Sequence, residues 1–424
     1  MKRIFCLVCV LCGLTTIQAR QRQNFDADWL FLLGDSAQMS QVDYNDSFWR
    51  KLNVPHDWAI EGDFYVGNPS GAGGGALPGG IGWYRKHFTL DKIEKVFIEF
   101  DGVYMNSTVY VNGKEVGFRP YGYSSFEYDI TPYVKKGENV VAVRVDNSDQ
   151  PNSRWYSGCG IYRHVWLTKT NPIHVKHWGV FVNNGKVEVD YENPTNQKVT
   201  VKNTWLDAEG KPTSIKKPRK WSCEDPYIYK VRTQLIVGGK VVDEVETTTG
   251  FRDFKFDAKT GFWLNGKNFK LNGVCEHHDF GCLGAALNED ALHRKLTKLK
   301  AMGVNSIRSS HNPPAPELLN MCDTMGLIVM DESFDMWRRK KTQNDYARFF
   351  DEWHERDLTD LILRDRNHPS ILMWSIGNEV LEQWSSAEAD TLTLEQANLI
   401  LNAGHDASTL AKDGELSVQS LLTQ

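Results

Sequence analysis

The stretch 365–379, Asp-Arg-Asn-His-Pro-Ser-Ile-Leu-Met-Trp-Ser-Ile-Gly-Asn-Glu, decides the fold of the second half of the chain. Its helix-breaking Asn-His-Pro precedes the apolar run Ile371 to Ile376. An apolar run of this length between turn residues predicts a strand that is buried on both faces, as in a parallel sheet. The run ends at Asn378 and Glu379, so an amide and a carboxylate are expected at the edge of the sheet where α/β barrels carry their catalytic residues.

Two interpretations of Glu379 follow from its position. An Asn-Glu pair after a strand often caps the next helix, and alternatively Glu379 is catalytic. The whole stretch 365–379 resembles the acid/base signature of glycoside hydrolase family 2, which includes β-galactosidases, β-glucuronidases and β-mannosidases. This resemblance implies that Glu379 is the acid/base carboxyl and that Asn378 binds the sugar 2-hydroxyl.

Three further strand and helix pairs precede this strand. Their strands are predicted at 269–274, 304–308 and 327–330, and the helices that follow them at about 290–301, 315–325 and 348–363. With the strand at 371–376 they make four βα units, the amino-terminal half of a (β/α)8 TIM barrel. One more helix is expected within 387–411.

The other predicted strands also end in polar residues. The first is followed by Glu276-His277-His278-Asp279, the second ends in Arg308 and leads to His311, and the third leads to Asp331, Glu332 and Asp335. Polar residues at four neighbouring strand ends predict a single site. His277, His278 and His311 would also suit a zinc hydrolase, but adjacent strand residues point in opposite directions, which weakens that alternative.

The segment 305–313, Asn-Ser-Ile-Arg-Ser-Ser-His-Asn-Pro, resembles the second signature of the same family. The resemblance implies that Arg308 and His311 line the pocket for the terminal sugar. It also implies that His278 and Asp279 lie near the sugar hydroxyls. Taken alone, His311 would be interpreted as a helix-capping residue.

Asp335 and Trp337 bear on the question of a metal ion. The resemblance places Asp335 where some family members hold a carboxylate ligand for a divalent ion, but Trp337 stands where those members have a histidine. The sequence therefore predicts no cofactor and assigns no metal ligand, with a divalent cation as the alternative, and it predicts that Trp337 is a platform on which a sugar stacks. The alternative is that Trp337 packs on the outside of the barrel.

Family members are retaining enzymes, which need an acid/base carboxyl and a nucleophile about 5 to 5.5 Å apart. The family places the nucleophile on a later strand, and only 45 residues follow Glu379. We therefore expect that the chain is truncated within the barrel, and we assign no nucleophile. Glu332 is the alternative, because neighbouring strands are roughly 4.8 Å apart, but we expect it to form hydrogen bonds in the pocket floor.

Residues 20–170 predict an antiparallel β-sandwich. Short strands at 95–100, 108–112, 139–145 and 162–167 are separated by Asn-Gly and Lys-Gly turns. The segment resembles the jelly-roll domain of the family, which is similar to sugar-binding domains. Its glycine-rich stretch 68–82 is either a loop that reaches a neighbouring site or a surface excursion.

Residues 171–252 predict a second β domain, with strands at 186–190, 198–201, 227–231 and 234–237. It resembles the immunoglobulin-like domain of the family. About 80 residues is short for such a sandwich, so one or two strands are expected to be missing. Residues 253–424 then form the partial catalytic barrel.

Residues 1–19 predict a signal peptide. Lys2 and Arg3 precede an apolar run, and cleavage is expected near Ala19. The mature protein is therefore expected to be periplasmic or secreted, with no membrane anchor. The formal net charge is −5 and the sequence has no basic stripe, which argues against nucleic acid as a partner. Five cysteines remain after residue 19, an odd number that indicates neither a disulfide framework nor a zinc site.

These expectations converge on an exo-acting β-glycosidase that removes terminal sugars, with β-galactosides as the first choice of substrate. β-Mannosides and β-glucuronides remain open. A different class of function is a catalytically inactive fragment that binds carbohydrate through its sandwich. The partners expected are a glycoside or oligosaccharide substrate and, for a full-length form, further copies of the chain.

Overall fold

The computed structural model describes residues 20–384, and the helix expected within 387–411 and the signal peptide lie outside them. The first ten strands form an antiparallel sandwich of two sheets, in the orders β1-β10-β5-β8 and β3-β2-β4-β9-β6-β7. Their bounds are β1 Gln21–Asn24, β2 Trp29–Leu33, β3 Arg50–Leu52, β4 Gly80–Leu90, β5 Lys95–Phe100, β6 Ser107–Val111, β7 Lys114–Arg119, β8 Phe126–Asp129, β9 Gly137–Asn147 and β10 Val165–Thr170.

Alternation along β5 shows how the sandwich core forms. Val96, Ile98 and Phe100 are buried between the two sheets, because successive side chains of a strand point to opposite faces. Glu99 lies on the outer face, where the next domain covers it. The strand predicted at 162–167 begins only at Val165, since the residues before it belong to a loop that joins the sandwich to the barrel.

The second domain contains five strands in two antiparallel sheets, β11-β12 and β13-β14-β15. The predicted strands 227–231 and 234–237 are one strand, because Thr233 between them is buried and continues the inward alternation of Val231 and Leu235. The bounds are β11 His174–Asn183, β12 Lys186–Glu192, β13 Val199–Leu206, β14 Tyr229–Val237 and β15 Lys240–Thr249.

A small antiparallel sheet then leads into four parallel strands in the order β19-β20-β21-β22, and within the described residues an α-helix follows each of the first three. This half of a TIM barrel confirms the predicted architecture. The bounds are β16 Phe254–Asp257, β17 Gly261–Leu264, β18 Lys267–Asn268, β19 Gly273–Glu276, α1 Glu289–Ala301, β20 Ser306–Ser309, α2 Pro316–Met325, β21 Ile328–Glu332, α3 Phe350–Asp365 and β22 Ile371–Ser375.

Two details of the barrel prediction are corrected. The first parallel strand was expected at 269–274 but is Gly273–Glu276, because the Phe269 amide bonds back to the Phe262 carbonyl in the small sheet. The strand β22 was expected to be buried on both faces, yet Ile371 is its only fully buried residue. Within residues 20–384 the sheet is open, so fewer groups cover β22 than in a closed barrel.

The sandwich packs directly against the barrel through buried arginines. Arg119 is fully buried and lies 2.6 Å from both Asp357 and Asp360 of α3. Arg163 is also buried and donates to the carbonyls of Pro313 and Pro314, just after β20. These contacts hold the sandwich over the carboxyl-terminal ends of the parallel strands. Among residues 20–384, no helix has the length and apolar character needed to cross a bilayer.

Candidate active site

Glu332, the last residue of β21, is the buried centre of the site. Its carboxylate receives hydrogen bonds from Arg308 at 2.8 Å, from Ser375 Oγ at 2.6 Å, and makes a 2.7 Å contact with His311 Nδ1. The ends of β20, β21 and β22 supply these groups or lead to them. A fully buried charge is tolerated only when it is paired and hydrogen-bonded in this way. The contacts agree with the prediction that Glu332 forms hydrogen bonds in the pocket floor.

Asn378 links the second and third strand ends to the fourth. Its Oδ1 accepts a 2.8 Å hydrogen bond from Arg308 Nη2, and its Nδ2 donates a 2.7 Å bond to Asp335 Oδ1. Its backbone amide bonds to the Phe334 carbonyl at 2.9 Å. With both side-chain atoms engaged, the amide has a fixed orientation in the site.

Asp335 is a buried carboxylate between two cations. Arg154 Nη2 lies 2.7 Å and Lys341 Nζ 3.0 Å from Asp335 Oδ1. Burial alone would raise the pKa of Asp335, but the hydrogen bonds from Arg154 and Asn378 and the charge of Lys341 outweigh it and lower that pKa. Burial also lowers the pKa of Lys341, whose side chain is 6% exposed. Asp335 is therefore held ionised.

Glu379 projects from this network toward the open side. Its side chain is 73% exposed, and its Oε2 lies 3.8 Å from Arg154 Nη1. Its backbone has a φ of 43°, in the left-handed region that a non-glycine residue adopts infrequently. This turn directs the Glu379 carboxylate away from the line of β22 and toward the sandwich.

Trp337 closes the site beside the fourth strand end. Its indole N–H donates a 2.8 Å bond to the Ile376 carbonyl, and its ring stacks at 6.2 Å on Phe350. Gly377 is required here, because a β-carbon at this position would come within 2.8 Å of Trp337 Nε1. Trp337 is half-buried, so part of its surface is available to a ligand.

The structure separates the two adjacent histidines of the first strand end. The ring of His277 lies 5.5 Å from that of His311 and 5.1 Å from that of Trp155, and it belongs to the site. The Nε2 atom of His278, which was predicted to bind the sugar, lies 3.1 Å from the Ser157 carbonyl oxygen. Burial, and then the charge of Arg163, lowers the pKa of His278 to about 4.

Asp279 is also not brought into the hydrogen-bond network of the site. Its carboxylate accepts a 3.3 Å bond from the Gly281 amide, and its carbonyl accepts a bond from Lys295. The structure thus gathers six of the eight predicted site residues, and His278 and Asp279 lie outside that network. The six are Arg308, His311, Asp335, Trp337, Asn378 and Glu379.

A loop of the sandwich completes the site. Arg154 reaches Asp335 and Glu379 from this loop, and Trp155 packs its ring 5.4 Å from that of His311 while donating to the Tyr123 hydroxyl. Sequence reasoning missed both residues, as it missed Lys341. For Arg154 and Trp155, the only local indication of a functional role is an arginine among aromatic residues in a loop between two strands.

The glycine-rich stretch supports this loop from behind. Gly73 lies so close to it that a β-carbon would be 3.3 Å from the Arg154 carbonyl oxygen, and Gly75 faces the Tyr156 ring. Asn68 ties the stretch together by donating to the carbonyls of Asp63 and Ala76. The stretch therefore packs against the loop that carries Arg154, and no contact of its own with the strand-end site residues is found among the described residues.

Three family models match consecutive parts of the chain. The sugar binding domain of glycosyl hydrolases family 2 matches residues 76–171, the family 2 model matches 171–252, and the family 2 TIM barrel domain matches 257–401. Together they span all three structural units.

Individual relatives extend this likeness. The beta-galactosidase BoGH2A of Bacteroides ovatus is 57% identical over 96% of the chain, which covers 52% of that protein. A putative beta-glucuronidase of Formosa agariphila is 45% identical over 89% of the chain and 39% of its own length. The chain thus spans about half the length, or less, of these curated relatives.

Solved structures agree. A beta-glycosidase from Bacteroides vulgatus superimposes with a TM-score of 0.83 at 42% identity, covering 92% of this chain and 53% of that one. A Bacteroides uniformis beta-glucuronidase gives a TM-score of 0.76 at 28% identity, covering 93% and 51%.

Proposed function

Because the chain belongs to glycoside hydrolase family 2, we propose that it carries the acid/base half of a retaining exo-β-glycosidase site that acts on terminal β-galactosides. The observation that carries the proposal is the joining of Asn378, Asp335 and Arg154 beside Glu379 at the carboxyl-terminal ends of the strands. This is the edge at which TIM barrels perform their chemistry.

In this proposal Glu379 donates a proton to the glycosidic oxygen as the aglycone leaves. It then takes a proton from the water that attacks the glycosyl-enzyme. Its exposure suits both steps, since the carboxyl must meet a leaving group and afterwards a water molecule. Asn378 is fixed by Arg308 and Asp335, so it can bond a sugar hydroxyl without losing side-chain freedom on binding.

Glu332 is unsuited to act as the nucleophile. Arg308, His311 and Ser375 occupy both of its oxygens, and the side chain is fully buried. A nucleophile needs a free oxygen facing the anomeric carbon. The proposal therefore assigns no nucleophile among residues 20–384.

A divalent ion is not part of the proposed mechanism. Asp335 Oδ1 already receives donors from Arg154, Lys341 and Asn378, and Arg154 Nε also bonds Oδ2 at 3.2 Å. Two protein cations within 3.0 Å supply the positive charge that an ion would otherwise bring to this carboxylate. Any ion would have to displace one of them.

The choice of galactoside rests on the name of the relative at 57% identity, whereas the relative at 45% carries a glucuronidase name. The test compares 4-nitrophenyl β-galactoside, β-glucuronide and β-mannoside as substrates of the protein extended to the length of its relatives, because residues 20–384 are assigned no nucleophile and a retaining reaction needs one. Faster release of 4-nitrophenol from the galactoside supports the proposal. Faster release from the glucuronide or the mannoside would show that the proposed substrate is wrong.

A second candidate function is sugar binding without hydrolysis. It is favoured by the engagement of Glu332 and Asp335 in cation pairs at 3.0 Å or less, whereas Glu379 is 73% exposed and lies 3.8 Å from Arg154. Calorimetric titration with galactose distinguishes the two functions. Binding without turnover of any of the three aryl glycosides would favour the second function, and turnover would favour the first.

A further inference from the structure

A cluster of ionisable side chains lies at the junction of the sandwich and the second domain, remote in sequence from the candidate active site. Glu99 of β5 and Glu127 of β8 are directly opposite each other in the antiparallel register. Like charges in that relationship destabilise a sheet unless a cation neutralises them. His177, from the first strand of the second domain, faces both carboxylates.

The backbone of β11 is shaped to deliver His177. The register of β11 shifts between Val175 and Val180, which marks a bulge, and Trp178 has a φ of 50°. Bulges of this kind re-aim a side chain. The Trp178 ring stacks on the imidazole at 3.8 Å, and Arg366 holds the Trp178 carbonyl at 3.0 Å. The direction of His177 is therefore fixed from both sides.

The distances place three potential metal ligands together. His177 Nε2 lies 3.1 Å from Glu99 Oε1, and His177 Nδ1 lies 4.0 Å from Glu127 Oε1. One ligand atom from each of the three side chains can be chosen so that all lie within 4.8 Å of one another. Ligands held about 2.1 Å from a zinc ion are separated by roughly 3 to 3.5 Å, so one imidazole nitrogen would bind the ion and the carboxylates would have to move closer to it.

The surroundings of the two carboxylates differ in a way that suits coordination. Arg22 binds Glu99 Oε2 at 2.9 Å and lies over the Trp166 ring, which orients the carboxylate and leaves Oε1 toward His177. Such outer contacts are typical of metal-ligating carboxylates. Glu127 has no hydrogen-bond donor in the part of the chain that the structure describes, although its side chain is only 14% exposed.

We propose that Glu99, Glu127 and His177 bind a divalent first-row transition-metal ion that fastens the second domain to the sandwich. Two carboxylates and one imidazole form a donor set that zinc, cobalt and manganese ions accept. The partial exposure of His177 and Glu127 leaves a path for the ion and places for water ligands.

A proton competes with this ion. Burial by itself would lower the pKa of His177, but Glu127 and Glu99 raise it overall, and Arg22 acts in the opposite direction. Burial raises the pKa of Glu127, and the charge of His177 partly offsets this effect. Because an imidazole must be unprotonated to bind a metal ion, the affinity of the site for the ion should rise with pH.

The test is titration of the chelator-treated protein with Co²⁺, followed by visible absorption and by thermal melting. We expect one bound Co²⁺ per chain, a rise in melting temperature, and weaker binding at about pH 6 than at about pH 8. His177→Gln and Glu127→Gln should each weaken binding roughly tenfold or more. His293→Gln, which removes an exposed histidine of α1, is the control and should change nothing.

The use of two variants, His177→Gln and Glu127→Gln, guards against misinterpreting a misfolded protein. Glu127→Gln in particular keeps the size of the side chain. An unchanged Co²⁺ affinity in both variants, or a loss on His293→Gln, would overturn the proposal. Wild-type protein that binds no Co²⁺ and is stabilised only by acidification would also overturn it, because a proton alone would then occupy the cluster. The experiment is independent of sugar hydrolysis, so its outcome leaves the proposed function untouched.

Discussion

Arg154 of the sandwich lies 2.7 Å from Asp335 at the third strand end of the barrel, although 181 positions separate the two residues in the chain. The same guanidinium lies 3.8 Å from Glu379. A single side chain of one domain thus touches two carboxylates of the other. The candidate site belongs to the contact between domains and not to the barrel alone.

Glu379→Gln should lower kcat/KM for galactosides with poor leaving groups by a factor of about 10² to 10⁴, because only these leaving groups need a proton from the enzyme. The first step with dinitrophenyl galactoside should persist. The measurement is kcat/KM on both substrates for the protein extended to the length of its relatives, with Glu355→Gln, an exposed residue of α3, as the control. Equal losses on the two substrates would remove Glu379 from the acid/base role.

Asp335→Asn should destabilise the protein more than Arg154→Gln. The first change leaves the buried Lys341 ammonium without its carboxylate, which costs about 3–5 kcal/mol. The second removes a side chain that is 38% exposed and leaves Lys341 paired, so we expect about 1 kcal/mol. Urea unfolding of the two variants checks this order, which the reverse ranking would contradict.

Glu332→Gln should lower the free energy of unfolding by about 3–5 kcal/mol, because Arg308 and His311 both lose the buried carboxylate that they contact. Removal of a strained catalytic nucleophile usually leaves stability unchanged or higher. Thermal melting of Glu332→Gln therefore distinguishes the two roles. A melting temperature at or above the wild-type value would reopen the case for Glu332 as the nucleophile.

His278 should make stability depend on pH. Its pKa is lowered to about 4 in the folded protein from about 6.5 in the unfolded chain. The unfolded state therefore binds more protons between these values, and the free energy of unfolding falls as the pH drops from about 6.5 to about 4. Melting curves across this range should be flatter for His278→Gln, and parallel curves would show that His278 is not the group responsible.

Removal of divalent ions should leave sugar binding at the candidate active site unchanged. The reason is that Arg154 and Lys341 already neutralise Asp335. Calorimetric titration with galactose before and after dialysis against EDTA measures this. A loss of affinity that Mg²⁺ restores would require an ion at Asp335, and the His177→Gln variant controls for any metal bound at the domain junction.

The βα units were predictable because each depends on local patterns. Apolar runs and helix caps depend only on residues close together in the sequence, as when Asn288 accepts a hydrogen bond from the Ala291 amide at the start of α1. The polar strand ends followed from the same patterns. Strand bounds shifted where tertiary contacts decided them, as when Phe269 joined the small sheet instead of β19.

The rest of the site could not be read from local patterns. Arg154 and Trp155 enter from another domain, and no periodicity links them to Asp335. His277 and His278 lie beyond Glu276, the end of β19, where strand alternation no longer fixes the direction of a side chain. The loop after the strand sets the directions of the two side chains, and His278 is directed to the Ser157 carbonyl.

The buried arginines between sandwich and barrel have a consequence for synthesis on the ribosome. The partners of Arg119 and Arg163 lie 238 and 150 positions later, at Asp357 and Pro313. Domains fold in the order in which they emerge during translation, so a newly made sandwich presents two hydrated guanidinium groups on the face that awaits the barrel. Asp357 and Asp360 of helix α3 carry the opposite charge, so we expect this face to attract the nascent helix before the candidate active site forms.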